Sequence, residues 1–434
     1  MTGIKQYDIY KDSGIEWVGS IPVDWETCPL FAVARENTAS NKAGVELNLL
    51  SLSYGRIVRK DIAANDGLLP ASFDTYQVIS RNDIVLRLTD LQNDKRSLRS
   101  AISPERGIIT SAYLAVTPTR ILPNFLSYLL RAYDLQKVFY AMGGGLRQSM
   151  KFSDMKWLPL VVPPEQLQES IAAYLDRETA QIDDLIAKQE RLVDLFAEKR
   201  QSIITNAVTR GLDPTARLKP TGFPWLDDVP AHWRVAALKH VLRIPISDGP
   251  HETPEFLDEG VPFVSAEAVS SGVVNFSKIR GFISDADNKR YSRKYSPRRG
   301  DIYMIKSGAT TGVTALVETD QQFNIWSPLA AIRCDDTVLP EFLLAFLRSR
   351  AFLDSVALHW SFGTQQNIGM GVLGDLPVAI PPMDEQRRIV DHLRMKTLQI
   401  NVLTDKAHAV VATLKERRSA LISAAVTGKI KVDL

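Results

Sequence analysis

Seven Lys/Arg and a single Asp crowd into NKRYSRKYSPRRGDIYMIK, residues 288–306, interleaved with Tyr291, Tyr295 and Tyr303. Cations at that density neutralise phosphates, and rings between them rest on sugars or bases. The competing explanation is a solvated loop ahead of a strand. A weaker counterpart, RLTDLQNDKRSLR, occupies 87–99. Two further stretches, GGGLRQSMK at 143–151 and SFGTQQNIG at 361–369, join glycines to amides. Glycine lets backbone approach a surface closely. Gln and Asn can hydrogen-bond adenine, and Arg guanine. Because the two stretches hold matching positions in the chain's halves, a shared scaffold turn explains them equally well. The candidate DNA contacts are Tyr54, Arg56, Arg87, Thr89, Lys95, Arg96, Arg147, Gln148 and Lys151 in the first half. In the second they are His251, Arg293, Lys294, Arg298, Arg299, Lys306, Ser307, Thr310, Thr311, Gln365, Gln366 and Asn367.

Other chemistries lack their residues. GMGVLG, 369–374, fits GxGxxG, but it follows the polar FGTQQNI where a strand should stand and leads into LPVAIPP where a helix should start. In that register the first half carries Lys151, Ser153 and Lys156, so the glycines are not shared. IKSGATTG lacks the GK[ST] ending of a phosphate loop, and His251-Glu252 is not followed by the second histidine of a zinc protease. Six scattered histidines make no catalytic constellation. We expect a non-catalytic chain with no cofactor or metal of its own. Cys28 and Cys334 stand far apart and outside any ligand spacing, which suits a reducing cytosol. The net charge of +2 excludes a uniformly basic coat but not local patches. There is no signal peptide and no apolar run long enough to span a bilayer, so no membrane partner is expected.

The elements that must position the candidates are written twice. LPLVVPPEQLQESI, 158–171, matches LPVAIPPMDEQRRI, 376–389, at an offset of 218, which persists ungapped to Ala207-Val208-Thr209 against Ala425-Val426-Thr427. Upstream, SGIEWVGSIPVDW, 13–25, parallels TGFPWLDDVPAHW, 221–233, at an offset of 208, setting Trp17, Pro22 and Trp25 on Trp225, Pro230 and Trp233. Weak echoes join the divergent middles: Asp83-Ile84 with Asp301-Ile302, Leu122-Pro123 with Leu339-Pro340, and Gln148 with Gln366.

After each Pro-Pro pair comes a stretch free of Pro and Gly, 165–210 and 383–427, ended by Gly211 and Gly428. Apolar residues fall at Ile171, Leu175, Ile182, Leu185, Leu192, Phe196 and Ile203, and again at Ile389, Leu393, Ile400, Leu403, Val410, Leu414 and Leu421. Steps of three, four and seven make a seam for another helix, imperfect at Glu178, Gln189 and Lys199. Two long helices packed on each other are the preferred reading; two helices docked separately on their own domains are the alternative. The middles, 26–157 and 234–375, carry short alternating runs such as NDIVLRL and GDIYMIK. They also carry helical pieces near FLSYLLRAYDLQKVF and EFLLAFLRSRAFLDSV. Each reads as a compact α+β domain with a curved, partly antiparallel sheet.

Together the doubled Trp-Pro-Trp segments, the doubled LP…PP…Q segments and the tails NAVTRG and AAVTGK resemble the specificity subunit of a type I restriction–modification enzyme. The resemblance covers essentially the whole chain. It implies two pseudo-twofold-related α+β target-recognition domains, 1–157 and 214–375, joined by two long antiparallel helices, 158–213 and 376–434, acting as a coiled-coil-like spacer. It implies that each domain reads one half of an asymmetric site on double-stranded DNA, that the spacer sets the gap, and that two modification (methyltransferase) subunits dock on it. Translocating restriction subunits would join them, S-adenosylmethionine and ATP with Mg would belong to those partners, and the complex would work in a bacterial cytoplasm. A duplicated protein-only adaptor, a specificity module of a methylation-only or other phage-defence complex, and a self-contained DNA methyltransferase are the alternatives. The last would need an S-adenosylmethionine loop and an acidic–aromatic motif, and neither is found.

Overall fold

The computed structural model describes residues 5–61, 72–91, 98–142, 149–362 and 366–432. The chain forms two compact units: Met1–Glu190 with His408–Leu434, and Arg191–Ala407. These do not coincide with the segments drawn from the sequence, because each unit takes in one divergent middle and a part of both long helices.

Each unit is built on a four-stranded antiparallel sheet. In the first, β1 (Ala34–Glu36), β2 (Ile84–Leu86), β3 (Ser100–Ile102) and β4 (Leu114–Pro118) lie in the order β1-β4-β2-β3. In the second, β5 (Ser247–Asp248), β6 (Ile302–Ile305), β7 (Thr314–Leu316) and β8 (Leu329–Ile332) repeat it as β5-β8-β6-β7. The central strands are apolar at nearly every position, Thr117 near the end of β4 excepted, because both faces are covered. Successive side chains point to opposite faces. Ile84 and Leu86 therefore join one core with the helix that follows, while Val85 joins Leu50, Leu52, Ile79 and Ile109 in a second. Likewise Ile302 and Met304 face one core, and Tyr303 and Ile305 the other.

The covering helices start at the echoed Leu-Pro pairs: α1 is Pro123–Leu135 and α3 is Pro340–Leu347. Proline suits the first helical position, where its missing N–H is not needed. The buried faces are Phe125, Leu126, Leu129 and Leu130 in α1, and Phe342, Leu343, Phe346 and Leu347 in α3, at one constant offset.

The repeated phrases turn out to be joints. Pro159–Val162 pairs with Glu26–Pro29, and Pro377–Ile380 with Arg234–Ala237. The matched glutamines are buried. Gln168 accepts from the Leu122 N–H at 2.9 Å and donates to the Pro163 carbonyl at 2.8 Å. Gln386 accepts from Leu339 N–H at 2.8 Å and donates to the carbonyls of Pro381, at 3.0 Å, and Thr337, at 2.9 Å. Each glutamine thus ties the entry of a long helix to the start of the helix covering the sheet and pairs backbone groups at that junction. The matched Trp-Pro-Trp segments pack on the glycines that end the long helices. Both glycines have positive φ, +75° at Gly211 and +70° at Gly428. A Cβ at Gly428 would lie 2.3 Å from Pro22 Cδ and 3.4 Å from Trp25 Cη2; one at Gly211 would lie 3.2 Å from Trp233 Cζ2 and 3.8 Å from Pro230 Cγ.

The long helices are α2 (Glu165–Arg210), lying between α1 and α3 in the chain, and α4 (Met383–Val426). Within the first unit they run antiparallel. Asp183 meets Arg418 at 2.9 Å, and Glu190, further along, meets Lys415 at 3.4 Å. Ile171, Leu175, Ile182, Ile389, Leu393 and Ile400 are buried, and Leu192, Phe196, Ile203, Leu414 and Leu421 are half-buried. The expected seam needs correction at Leu185, Leu403 and Val410, which are 46, 45 and 44 % exposed. Ile186, Ala407 and Val411 are buried instead. A strict seven-residue repeat lags a straight helix by about 20° per heptad. The chain corrects this with an eleven-residue interval: Ile389, Ile400, Val411 and Ile422 are all buried, as are the pairs Ile171–Ile182 and Leu175–Ile186. Among the described residues no helix is long and apolar enough to cross a membrane.

Candidate nucleic-acid interface

In the second unit β6 ends at Ile305, and Lys306 leads into the loop Ser307–Gly312, whose Gly308 and Gly312 have φ of +98° and +94°. The Thr311 hydroxyl donates to the Gly308 carbonyl at 2.7 Å. Gln366 and Asn367 lie against this loop. The Gly308 N–H donates to the Gln366 carbonyl at 3.0 Å, and the Ile368 N–H to the Lys306 carbonyl at 2.9 Å. Lys306, Ser307, Thr310, Thr311, Gln366 and Asn367 are thereby brought into one surface, with Thr310, Gln366 and Asn367 exposed. The first unit hangs its corresponding segment from the same place: the Met150 N–H donates to the Leu88 carbonyl at 2.9 Å. So the two Gly-and-amide stretches share an anchor. GMGVLG also has more context than its letters suggest, since Gln366–Asn367 is a short strand and Met370–Asp375 a short helix.

Asp248, at the end of β5, is buried and gathers three basic side chains. Lys294 Nζ hydrogen-bonds its Oδ1, Lys306 Nζ lies 3.0 Å from Oδ2, and His251 Nε2 lies 3.1 Å from Oδ2. Burial pushes the Asp248 carboxyl up, but the hydrogen bonds and charges of Lys294 and Lys306 outweigh it and hold the group below the usual carboxylate range.

The rest of the basic stripe divides. Arg299 is paired with Asp320 at 2.8 Å, and Arg290 with Asp287 at 2.8 Å and Glu252 at 2.6 Å. Arg293 and Arg298 are exposed and carry no side-chain ion pair among the described residues. The interleaved tyrosines do not line a surface: Tyr291, Tyr295 and Tyr303 are buried. The Tyr295 hydroxyl donates to Asp301 at 2.5 Å and lies 3.2 Å from the Tyr303 hydroxyl. Tyr303 falls on the inward phase of β6 and Tyr291 on the inner face of a short helix, Asp285–Tyr291, so packing claims rings that the sequence left to DNA.

In the first unit Tyr54 stands exposed at φ +46° in a turn with Gly55, and Arg56 lies 3.4 Å from Asp183. Arg87 and Thr89 are half-buried, and their carbonyls accept from the wholly buried Arg99, at 3.4 and 2.7 Å. Lys151 is exposed at the start of a short helix, Phe152–Met155. Lys95, Arg96, Arg147, Gln148 and Gln365 lie outside the described residues.

Sequence reasoning missed the residues that hold these loops. The Arg131 guanidinium donates to the Gly55 carbonyl at 2.7 Å and also to the Ser100 carbonyl. Arg348 donates to the carbonyls of Gly272, at 2.6 Å, and Thr314, at 2.7 Å. Burial pushes Arg131 down to about 10 and lowers Arg348 too. The signal was present: Gly55 and Arg131 match Gly272 and Arg348 at one offset, 217.

With this geometry in hand, comparison with known proteins is informative. The family model described as the type I restriction modification DNA specificity domain matches residues 230–406. The chain is 22% identical to the EcoDI specificity subunit of Escherichia coli over 453 residues, covering 95% of this chain and 90% of that one. It is 22% identical to the EcoBI specificity subunit of Escherichia coli over 278 residues, 62% of this chain, and this match spans only 58% of that subunit's length. A solved chain from a study of complex assembly and conformational transition in the type I R-M system has the same fold, with a TM-score of 0.68 at 20% identity, covering 94% of this chain and 98% of that one. Residues 230–406 therefore match the type I restriction–modification DNA specificity domain, and the fold as a whole is that of the solved chain. Over these spans the chain is similar to the specificity subunits of type I restriction enzymes.

Proposed function

We propose that the chain is the DNA-reading subunit of a type I restriction–modification complex, with each unit reading one half of a bipartite asymmetric site. The observation that carries this is the contrast within the repeat. Two sheets are fixed by the same buried glutamine and the same glycine–tryptophan joint, yet they present different loops. Such a frame keeps two readers equivalent in mounting while their contacts differ. The candidate contacts are those surrounding Tyr54, Arg87 and Lys151 in one unit and Asp248, Lys306 and Gln366 in the other. Modification subunits would dock along the long helices, whose length would set the gap between half-sites, and restriction subunits would join them. Methyl transfer with S-adenosylmethionine and ATP-driven translocation would then belong to those partners in a bacterial cytoplasm, while this chain supplies recognition.

The test grafts residues 26–157 from a relative into the full chain, coexpresses it with its modification subunit, and maps methylated bases in the host genome. One half of the methylated motif should change and the other should stay. A motif whose halves change together, or a parent complex that methylates no motif, would overturn the reading.

A further inference from the structure

We infer that Asp248 is a positioning residue of the second reader: it gathers Lys294, Lys306 and His251 into one donor cluster that takes hydrogen-bond acceptors of duplex DNA beside the Ser307–Thr311 and Gln366–Asn367 loops. The inference rests on the DNA-reading function proposed above and deepens it.

The three donors come from separate elements that are each fixed. The loop carrying His251 follows Gly249, where an added Cβ would lie 1.8 Å from the Ile325 carbonyl oxygen, so only glycine lets the two segments cross. That loop is tied down by the Ser327 N–H on the Pro250 carbonyl at 3.3 Å and the Trp326 indole N–H on the Glu252 carbonyl at 3.1 Å. Lys294 follows the helix Asp285–Tyr291, whose start is capped by Ser284 accepting from the Asp287 N–H at 3.0 Å. Lys306 directly follows β6 and is nearly buried, with 13 % of its side chain exposed. A buried carboxylate must be paired and hydrogen-bonded, and here it meets more cation than it needs. Two lysines against one carboxylate leave net positive charge, and His251 adds a donor. Lys294 and His251 remain largely exposed, at 53 and 72 % of their side chains. A lysine alone is a point charge on a flexible stem. Held beside Asp248, Lys294 by a hydrogen bond and Lys306 and His251 at ion-pair distance, these side chains present donors in one arrangement, with the order that specific contacts need and a free lysine lacks.

The cluster is private to the second unit. Ile246 sits where Glu36 sits in the first sheet, because Ser247 pairs with Ala331 as Asn37 would with Ala115. Asp248 therefore corresponds to Thr38, and Lys306 to Leu88. Neither can build this centre, so any effect of losing it should fall on one half-site only.

The acceptors could be phosphate oxygens or the O6 and N7 edge of guanine. The experiment separates them. The full chain, wild type and as Asp248→Asn, Lys294→Gln and His251→Gln, is coexpressed with its modification subunit. Methylated bases are mapped, and binding to the wild-type motif is measured against salt. With base-edge contacts, Asp248→Asn and Lys294→Gln methylate sites altered at one position of the second half-site, discrimination there falling about tenfold, as for one good base contact. With phosphate contacts, the motif is kept, but Lys294→Gln lowers affinity for all sequences and reduces the salt slope by about 0.9. In both cases the first half-site is unchanged, which a merely destabilised chain would not show. If Asp248→Asn does not fold, Lys294→Gln and His251→Gln, which leave the Asp248–Lys306 pair in place, decide between the same outcomes. The inference is overturned if Lys294→Gln and His251→Gln keep wild-type motif, affinity and salt slope. A wild-type complex that methylates no motif and binds no DNA overturns the proposed function itself, and is seen without any variant.

Discussion

Where each sheet meets its scaffold strand, the two units carry opposite surfaces on the same backbone. In the first, Phe31 and Trp157 stack edge to face at 4.8 Å between ring centroids and are 47 and 65 % exposed. In the second, Lys239 and Asp375 form an ion pair at 2.7 Å. The equivalence is set by hydrogen bonds: Leu30 N–H to the Leu158 carbonyl at 2.9 Å, and Leu238 N–H to the Leu376 carbonyl at 2.8 Å. A similar exchange occurs beside the buried tryptophans. Trp233 donates to Glu385 at 3.1 Å, and His232 lies 2.8 Å from the same oxygen. In the first unit Leu167 stands at the position of Glu385, and the buried Trp25 N–H has no partner among the described residues. Duplication is thus kept in buried amides and in glycines that admit no side chain. It is relaxed wherever a side chain reaches water, and a partner that touches both units there meets two different chemistries.

The comparison breaks most visibly if the halves are not interchangeable. A fragment of residues 1–213 lacks Ile422, Ala425 and Val426, which complete the first unit's core, but it contains Ala207 and Val208 at the repeat offset from Ala425 and Val426. A second copy can supply them, and an isologous pair closes the assembly. We expect a dimer by light scattering and, with the modification subunit, a palindromic methylated motif. A monomer that methylates nothing would show the halves to be equivalent in letters alone.

Next come the glutamines. Gln168→Ala and Gln386→Ala should each cost about 2–3 kcal/mol, since each strands a buried backbone N–H and carbonyl. Denaturant titration should give similar losses, and a near-silent variant in one unit would end the parallel between the joints.

The units should then respond oppositely to pH. Burial raises the Asp134 carboxyl of the first unit, with the Arg99 N–H and nearby cations recovering only part. Its folded state resists ionisation, so stability falls as pH rises from the unfolded value near 3.9 through the raised folded value. Asp248 is depressed, so its contribution is whole above about 3.9 and is lost as pH falls through the folded value. Unfolding midpoints against pH for Asp134→Asn and Asp248→Asn should flatten at opposite ends, and flattening at one shared end would refute the assignment.

The smallest effect sharpens the tryptophan contrast. Glu385→Leu should destabilise by about 1 kcal/mol, and Leu167→Glu should recover up to about 1 kcal/mol by giving Trp25 an acceptor. Equal signs would mean that packing, not the hydrogen bond, distinguishes the sites.

What the sequence made legible follows from where the physics is local. Strands, covering helices and joints announced themselves because their apolar period, Leu-Pro starts and glutamines recur at fixed offsets. The tyrosines misled because charge and aromatic letters along a chain do not reveal burial: Tyr303 stands on a strand covered on both faces, so neither phase of its alternation reaches the surface. The seam misled at Leu185, Leu403 and Val410 because steps of three, four and seven fit a heptad, while the buried positions keep an eleven-residue interval. Asp248 could not be read at all, since Lys294 reaches it from 46 residues away and no local pattern marks a carboxylate whose partners come from other elements.

One unit is continuous in the chain and the other is not, and synthesis runs in one direction. Residues 191–407 can close on themselves as they emerge. The first unit cannot: Ile422, Ala425, Val426, Ile430 and Val432 belong to the same core as Ile15, Ile21 and Trp25. At about 5–20 residues per second, the stretch between Glu190 and His408 takes roughly 10–45 s to translate. For that interval the nascent first unit waits with an open flank, while Ala207 and Val208, at the repeat positions of Ala425 and Val426, have already been made. Order of birth therefore exposes the chain to a misfold that its own duplication supplies, and a pause or a chaperone acting before residue 408 would change the yield of native protein without touching a single native contact.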